Sequence, residues 1–307
     1  MRVLVTGGAG FIGSHIVEAL VLRGDSVRVY DNFTSGNRAN LAGFAEKIEV
    51  VEGDVRDAPQ LDYYAAGCDL IFHEAAIVSV PYSVEHPQET HDVNIQGTLN
   101  VLMAAKRQHV KRVVFASSAA VYGQEPTLPK TESMRLEPVS PYGVEKATSE
   151  LYLHTWAKTF GVETVALRYF NVFGPRQDPS SAYSGVISIF AERALSGRSA
   201  IIFGDGEQSR DFVYVANVVD ANLRAAEAEG VSGNAYNVGA GKRTSLNELA
   251  AMVGAITKTE FSPKHEAARS GDIVHSLADI SRTTKELGWS PRADVATGLA
   301  KLFESLR

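Results

Sequence analysis

Through the first half of the chain, short apolar runs alternate with stretches whose apolar residues recur at helical spacing. "VLVT" (3–6) precedes "FIGSHIVEALVLRG", where Ile12, Ile16 and Leu20, with Val17 and Val21, fall on one helical face. Further strands are expected at "SVRVYD" (26–31), "IEVVEGD" (48–54), "DLIFHEAA" (69–76), "RVVFASS" (112–118) and "ETVALRY" (163–169), with helices near 90–108 and 141–160. Strands that are apolar throughout and separated by helices predict an α/β fold, a doubly wound parallel sheet covered on both faces. After residue 170 the rhythm loosens. "NVFGPRQDPSSAYSG" reads as a loop over the sheet edge, and "AIIFGDGEQSRDFVYV" as two strands around a Gly-Asp-Gly turn. A strand at "AYNVG" (235–239) and helices near 245–258, 281–287 and 295–305 complete the pattern.

Composition narrows the function classes. The 307 residues are 45% apolar and 21% charged, with 30 basic and 36 acidic side chains and a net charge of −6. No basic run marks a nucleic-acid surface, and no apolar run approaches transmembrane length. A single cysteine, Cys68, leaves no internal disulfide and no thiolate cluster for a metal. "HEAAI" (73–77) begins like a zinc-protease helix but has Ile77 where the second ligand would stand, so no metal site is expected. These features together predict a cytoplasmic protein.

The first strand–helix junction carries chemistry. In "VLVTGGAGFIG", Gly7, Gly10 and Gly13 permit a tight turn and a close approach of backbone to a pyrophosphate, with free N–H groups at the helix N-terminus facing the anion. Asp31, ending the next strand, suits the two hydroxyls of an adenosine ribose and repels a 2′-phosphate, which favours NAD over NADP. Asp54 ends the following strand where an adenine could lie, or serves as a cap.

A second constellation is "SPYGVEKA" (140–147), which sets Tyr142 and Lys146 four residues apart on one helical face. A free tyrosine ionises near pH 10, so a base working at neutrality needs a shift of about 3 units, or about 4 kcal/mol. A neighbouring ammonium and a cationic nicotinamide ring both act in that direction.

With these residues in view, the chain resembles the NAD-dependent nucleotide-sugar epimerase/dehydratase family of extended short-chain dehydrogenases/reductases, nearest its UDP-hexose 4-epimerases. "TGGAGFIG", "DN" (31–32), "GDVRD", "NIQGT", "SSAAVYG", "SPYGVEK", "LRYFNVFGPR", "SRDFVYV" and "RSGD" match in order over nearly the whole length. The resemblance implies a Rossmann domain over 1–170, rejoined at about 212–238, and a nucleotide-sugar-binding lobe from 171–211 and 239–307. It implies tightly held NAD, a UDP-sugar substrate, and a homodimer formed through two helices per subunit near 90–108 and 141–160. Residue by residue, Ser118 matches the serine that bonds the reacting sugar oxygen, and Tyr142 the proton-transfer base. Lys146 matches the residue that holds the nicotinamide ribose. The cofactor set takes in Gly7, Gly10, Phe11, Ile12, Gly13, Asp31, Asn32, Asp54, Val55, Ala75, Asn94, Tyr142, Lys146 and Phe170. For the substrate, Asn171, Arg210 and Arg269 correspond to diphosphate contacts, Phe203 to a uracil-stacking ring and Asp272 to a ribose acceptor. Tyr122 is expected to be structural and Ser117 to lie behind the site.

Dehydratases of the family carry an acid pair where this chain has Ala119 and Ala120. Alanine can neither remove a C5 proton nor expel a C6 hydroxyl, so elimination is disfavoured and 4-epimerisation is expected. Ser276 aligns with a position that gates the sugar pocket, and its small volume suits an N-acetyl group. Val78 stands where galactose epimerases tend to have lysine. The substrate is therefore expected among UDP-N-acetylglucosamine and UDP-glucose and their C4 epimers. UDP-glucuronate epimerisation, dehydration or decarboxylation, and a non-catalytic NAD-binding regulator are the alternatives.

Overall fold

The computed structural model describes residues 1–178, 185–258, 261–267 and 274–306. Its first half runs β1 (Arg2–Thr6), α1 (Phe11–Arg23), β2 (Ser26–Asp31), β3 (Ile48–Glu52), α2 (Ala58–Ala65) and β4 (Leu70–His73). There follow α3 (Val80–Glu85), α4 (Pro87–His91), α5 (Gly97–Arg107), β5 (Arg112–Ser118), α6 (Pro141–Thr159) and β6 (Glu163–Tyr169). The strand Asn234–Val238 completes a seven-stranded sheet in the order Asn234–Val238, β6, β5, β4, β1, β2, β3. Every neighbouring pair is parallel. Because β1 lies between β2 and β4, the chain winds away from it in both directions and leaves a crevice at the carboxyl ends of β1 and β4.

Each face of the sheet is covered by helices, as the unbroken apolar strands require. Ile16, Val17 and Leu20 of α1 join Val218, Ala221 and Ala225 of the helix Val215–Glu227 on one face. On the other, Leu61 of α2 and Val101 and Leu102 of α5 pack with Leu153 and Trp156 of α6. A separate apolar cluster in the second half gathers Phe173, Ile187, Phe190, Leu249, Leu299 and Phe303. Among the described residues no helix is long and apolar enough to cross a membrane.

Two expectations change in detail. The helix near 90–108 is interrupted at Asp92–Gln96 by a wider π-type turn, and Asn94 within it sends its side chain to Ile77 and Glu145. The segment around Gly-Asp-Gly is not a hairpin. Ile201–Phe203 pairs in parallel with Lys264–Glu266, Ser209–Arg210 with Thr244–Ser245, and Phe212–Tyr214 with Asn171–Phe173. Gly206 has φ +81°, and a Cβ there would meet Asn247 Oδ1 at 2.2 Å. The turn is docked against Asn247, whose Nδ2 donates to Asp205 O at 3.0 Å, and it sends the chain onward rather than back.

Candidate active site

The glycine turn is shaped for close contact. A Cβ on Gly7 (φ +68°) would strike Ala75 N at 2.6 Å, and one on Gly13 would strike Gly7 O at 2.2 Å. Gly10 precedes α1 without a side-chain cap, and the first turn has no acid, so its N–H groups are left for an anion. Phe11 and Ile12 open the helix, half-buried. Asp31 is buried, and its two oxygens accept from Ala9 N at 2.9 Å and Phe33 N at 2.8 Å, which fixes the carboxylate at the end of β2. Burial raises its pKa despite those bonds. Asn32 and Asp54 meet at 3.0 Å, and Arg56 holds Asp54 down at about 2. Val55 is buried against Gly97. The cradle and the oriented Asp31 fit a dinucleotide, with pyrophosphate on the turn and ribose hydroxyls at the acid.

At the end of β5 the second constellation assembles. Ser140 caps α6, its Oγ accepting from Gly143 N at 3.1 Å, and Pro141 occupies the first turn. Ser83 of α3 accepts from Tyr142 N at 3.1 Å, a contact that sequence reading missed. A Cβ on Gly143 would come within 2.8 Å of Ala120 O, so the helix start lies directly on the "SSAAVYG" turn. The Ser118 side chain is thereby brought to the Tyr142 side chain, close enough to favour its ionised form. Lys146 is buried, donates from Nζ to Ala116 O at 2.7 Å and sits 5.8 Å from the Tyr142 ring centre.

Electrostatics departs from expectation at one point. Burial, opposed by the Ser118 side chain and reinforced by the carboxylates of Glu145 and Glu74, pushes Tyr142 up to about 12. Bringing such a phenol to neutrality takes about 7 kcal/mol, more than a solvated tyrosine would need. Lys146 is itself lowered to about 8 by burial. Much of the activation must therefore come from a charge that arrives with a ligand, and a cationic nicotinamide is of that kind.

Several neighbours fix the framework. Ser117 turns away, donating to Glu150 Oε1 at 2.5 Å. Arg168 pairs with Glu150 at 2.7 Å and donates to Tyr122 Oη at 2.8 Å. Tyr122 in turn donates to Asn237 Oδ1 at 2.6 Å. Asn94 is fully used: Oδ1 accepts from Ile77 N, while Nδ2 donates to Ile77 O and Glu145 Oε2. Its side chain shapes the segment after β4, next to Ala75. His73, at the end of β4, lies between Thr6 and Thr98 and is held neutral by burial, near 3.

Residues from the second half converge on the same edge. Asn171 N donates to Asp211 O at 3.1 Å, and Ser276 N to Ser209 O at 3.1 Å, which brings both beside Arg210. Arg210 Nη1 donates to the carbonyls of Ser209 and Val274 at 3.0 and 3.2 Å. Asp211, which the sequence did not single out, is buried and accepts from Ala240, Gly241 and Ala278 N–H groups, and burial raises it to about 6. Ala278 packs with Val121, Tyr122 and Phe170, linking this group to the turn after Ser118. Phe203 is half-buried at its strand end. Val78 is exposed. Arg269 and Asp272 lie outside the described residues.

Comparison with known proteins gives a consistent picture. The sequence model of the NAD dependent epimerase/dehydratase family matches residues 3–239. A UDP-glucose 4-epimerase of Mycolicibacterium smegmatis is 41% identical over 315 aligned residues, covering 100% of this chain and 99% of its own. A UDP-N-acetylglucosamine 4-epimerase from Methanobrevibacter ruminantium M1, in complex with UDP-N-acetylmuramic acid, superposes with a TM-score of 0.95 at 41% identity, covering 99% of this chain and 97% of that one. A UDP-glucose 4-epimerase of Thermus thermophilus, in complex with NAD, gives a TM-score of 0.89 at 36% identity, covering 100% and 99%.

Proposed function

Since the chain belongs to the NAD-dependent epimerase/dehydratase family, we propose that it is a UDP-sugar 4-epimerase acting on UDP-N-acetylglucosamine and UDP-glucose. The observation that carries this reading is the meeting of Ser118, Tyr142 and Lys146 beside a turn, Ala119–Tyr122, that presents alanines where elimination needs acids. Of the carboxylates near Tyr142, that of Glu145 is committed to Thr90 and Asn94 and that of Glu150 to Ser117 and Arg168, while that of Glu74 is held through one oxygen by Tyr169.

Bound NAD supplies a hydride acceptor, and later donor, at the sugar C4. Ser118 positions the sugar 4-oxygen, and Tyr142 takes the 4-hydroxyl proton as the C4–H bond breaks. Lys146, anchored at Ala116 O, retains N–H groups for a ribose hydroxyl. Residues 171–211 and 239–307 form the lobe for the nucleotide. Asn171, Arg210 and Arg269 hold the diphosphate, Phe203 stacks on the uracil and Asp272 takes its ribose, so that the 4-keto sugar is free to turn. Tyr142 then returns the proton as hydride arrives on the other face. Ser276 leaves room for an N-acetyl group.

Purified protein is incubated separately with UDP-glucose, UDP-N-acetylglucosamine and UDP-glucuronate, without added NAD, and the products are resolved. The expected products are the C4 epimers of the first two. Carbon dioxide or a stable 4-keto-6-deoxy sugar would overturn the epimerase reading, and conversion of UDP-glucuronate alone would overturn the substrate assignment.

A further inference from the structure

Glu74 is an acidic side chain on the path from the glycine turn to Tyr142, and the reaction above gives it no task. Its backbone belongs to the cofactor cradle: Glu74 N donates to Thr6 O at 3.1 Å, and its carbonyl carbon would lie 2.8 Å from a Cβ on Gly7. Its side chain reaches towards β6, where Tyr169 Oη donates to Oε1 at 3.0 Å. Tyr169 Oη accepts in turn from Asn222 Nδ2 at 2.7 Å, and Asn222 is anchored to Val218 O at 2.9 Å. The Tyr169 hydroxyl also lies 3.1 Å from Asn222 Oδ1, so its one proton is shared between Glu74 and Asn222; Oε1 is held in this way, while Oε2 accepts no hydrogen bond among the described residues. Glu74 is half-buried beside the crevice.

The groups around it define its charge. From α6, Lys146 favours the carboxylate, and Glu74 acts electrostatically on both Lys146 and Tyr142. From β6, Tyr169 bonds it and stays protonated. His73, its neighbour on β4, is neutral. Burial outweighs Lys146 and Tyr169 and raises Glu74 to about 7. A dinucleotide with its pyrophosphate on the glycine turn and its reactive ring near Tyr142 would run past the end of β4, where the Glu74 backbone meets Gly7.

We propose that Glu74 sets the balance between oxidised and reduced cofactor, its carboxylate favouring the cationic oxidised ring. Hydride leaving the sugar C4, with its two electrons, neutralises the ring as the hydroxyl proton goes to Tyr142. Hydride returning to the sugar restores the positive charge beside Glu74. The carboxylate therefore favours return over stranding of the keto sugar on reduced enzyme. The inference rests on NAD as cofactor and is independent of which sugar is the substrate.

The test equilibrates holoenzyme against a redox mediator across a pH series and reads bound reduced nicotinamide by its near-ultraviolet absorbance. Glu74→Gln removes the charge but keeps an oxygen for Tyr169. Above neutral pH the reduced-to-oxidised ratio is expected to rise on the order of tenfold in this variant, the equivalent of one pKa unit of interaction. The difference from wild type should fade as pH falls through about 7, where Glu74 takes up a proton. Tyr169→Phe leaves the charge but removes a bond that lowers the Glu74 pKa, so the fading should begin at higher pH. An unchanged ratio in Glu74→Gln, or a full wild-type pH profile surviving there through Lys146, overturns the proposal. A purified protein that binds neither redox form would instead overturn the cofactor reading.

Discussion

Tyr142 is buried beside Lys146 at the start of α6. The four-residue interval places both on one face of α6, yet the Lys146 ammonium is directed to Ala116 O, and burial dominates the phenol. Ser118 is the side chain that favours its ionised form. Replacing Tyr142 with Phe keeps the ring that packs there and deletes the proton-transfer atom. Turnover is expected to fall by about a thousandfold, within the range for loss of a general base, while bound NAD remains visible in the absorption spectrum of the purified variant. Normal turnover would remove Tyr142 from the mechanism. Ser117 and Ser118 are adjacent and chemically alike, but strand alternation turns one to Glu150 and the other to Tyr142.

At the scale of elements, the strands and long helices of the first half followed directly from their apolar periods. Short elements did not. Ser209–Arg210 and Phe212–Tyr214 are held apart from one another by Asp211, whose carboxylate gathers N–H groups from Ala240, Gly241 and Ala278. An asparagine at 211 would turn donors towards those donors. Asp211→Asn should lose about 2 kcal/mol of stability, the cost of buried N–H groups left unpaired, measured by chemical denaturation at neutral pH. Because the native pKa is raised, wild type also carries a charge penalty that is complete above about 6 and relieved as pH falls towards the value of a free aspartate. The loss in Asp211→Asn should therefore be smaller at pH 7 than loss of the bonds to a cost-free carboxylate would be. A variant as stable as wild type would show that the Asp211 staple does not matter.

For the whole molecule, the outer face of α6 bears on assembly. Val144 and Leu151, seven residues apart on one stripe, are 47% and 67% exposed, and Leu99 and Met103 of the adjacent α5 are half-buried. We propose that two copies pair through α5 and α6, as four helices. Leu151→Glu would bury charge in that seam and is expected to yield monomer in sedimentation; an unaltered mass would place the contact elsewhere. The sequence by itself determined the parallel sheet, the glycine cradle, Asp31 at the next strand end, and the Tyr142–Lys146 face, because these depend on periods and spacings within one or two elements. Only the tertiary structure decided that Tyr169 points Glu74, 95 residues away, and that Asp211 gathers Ala278 from 67 residues on. Partners and protonation at such sites depend on which distant segments approach and how much water they exclude, and no local pattern records that.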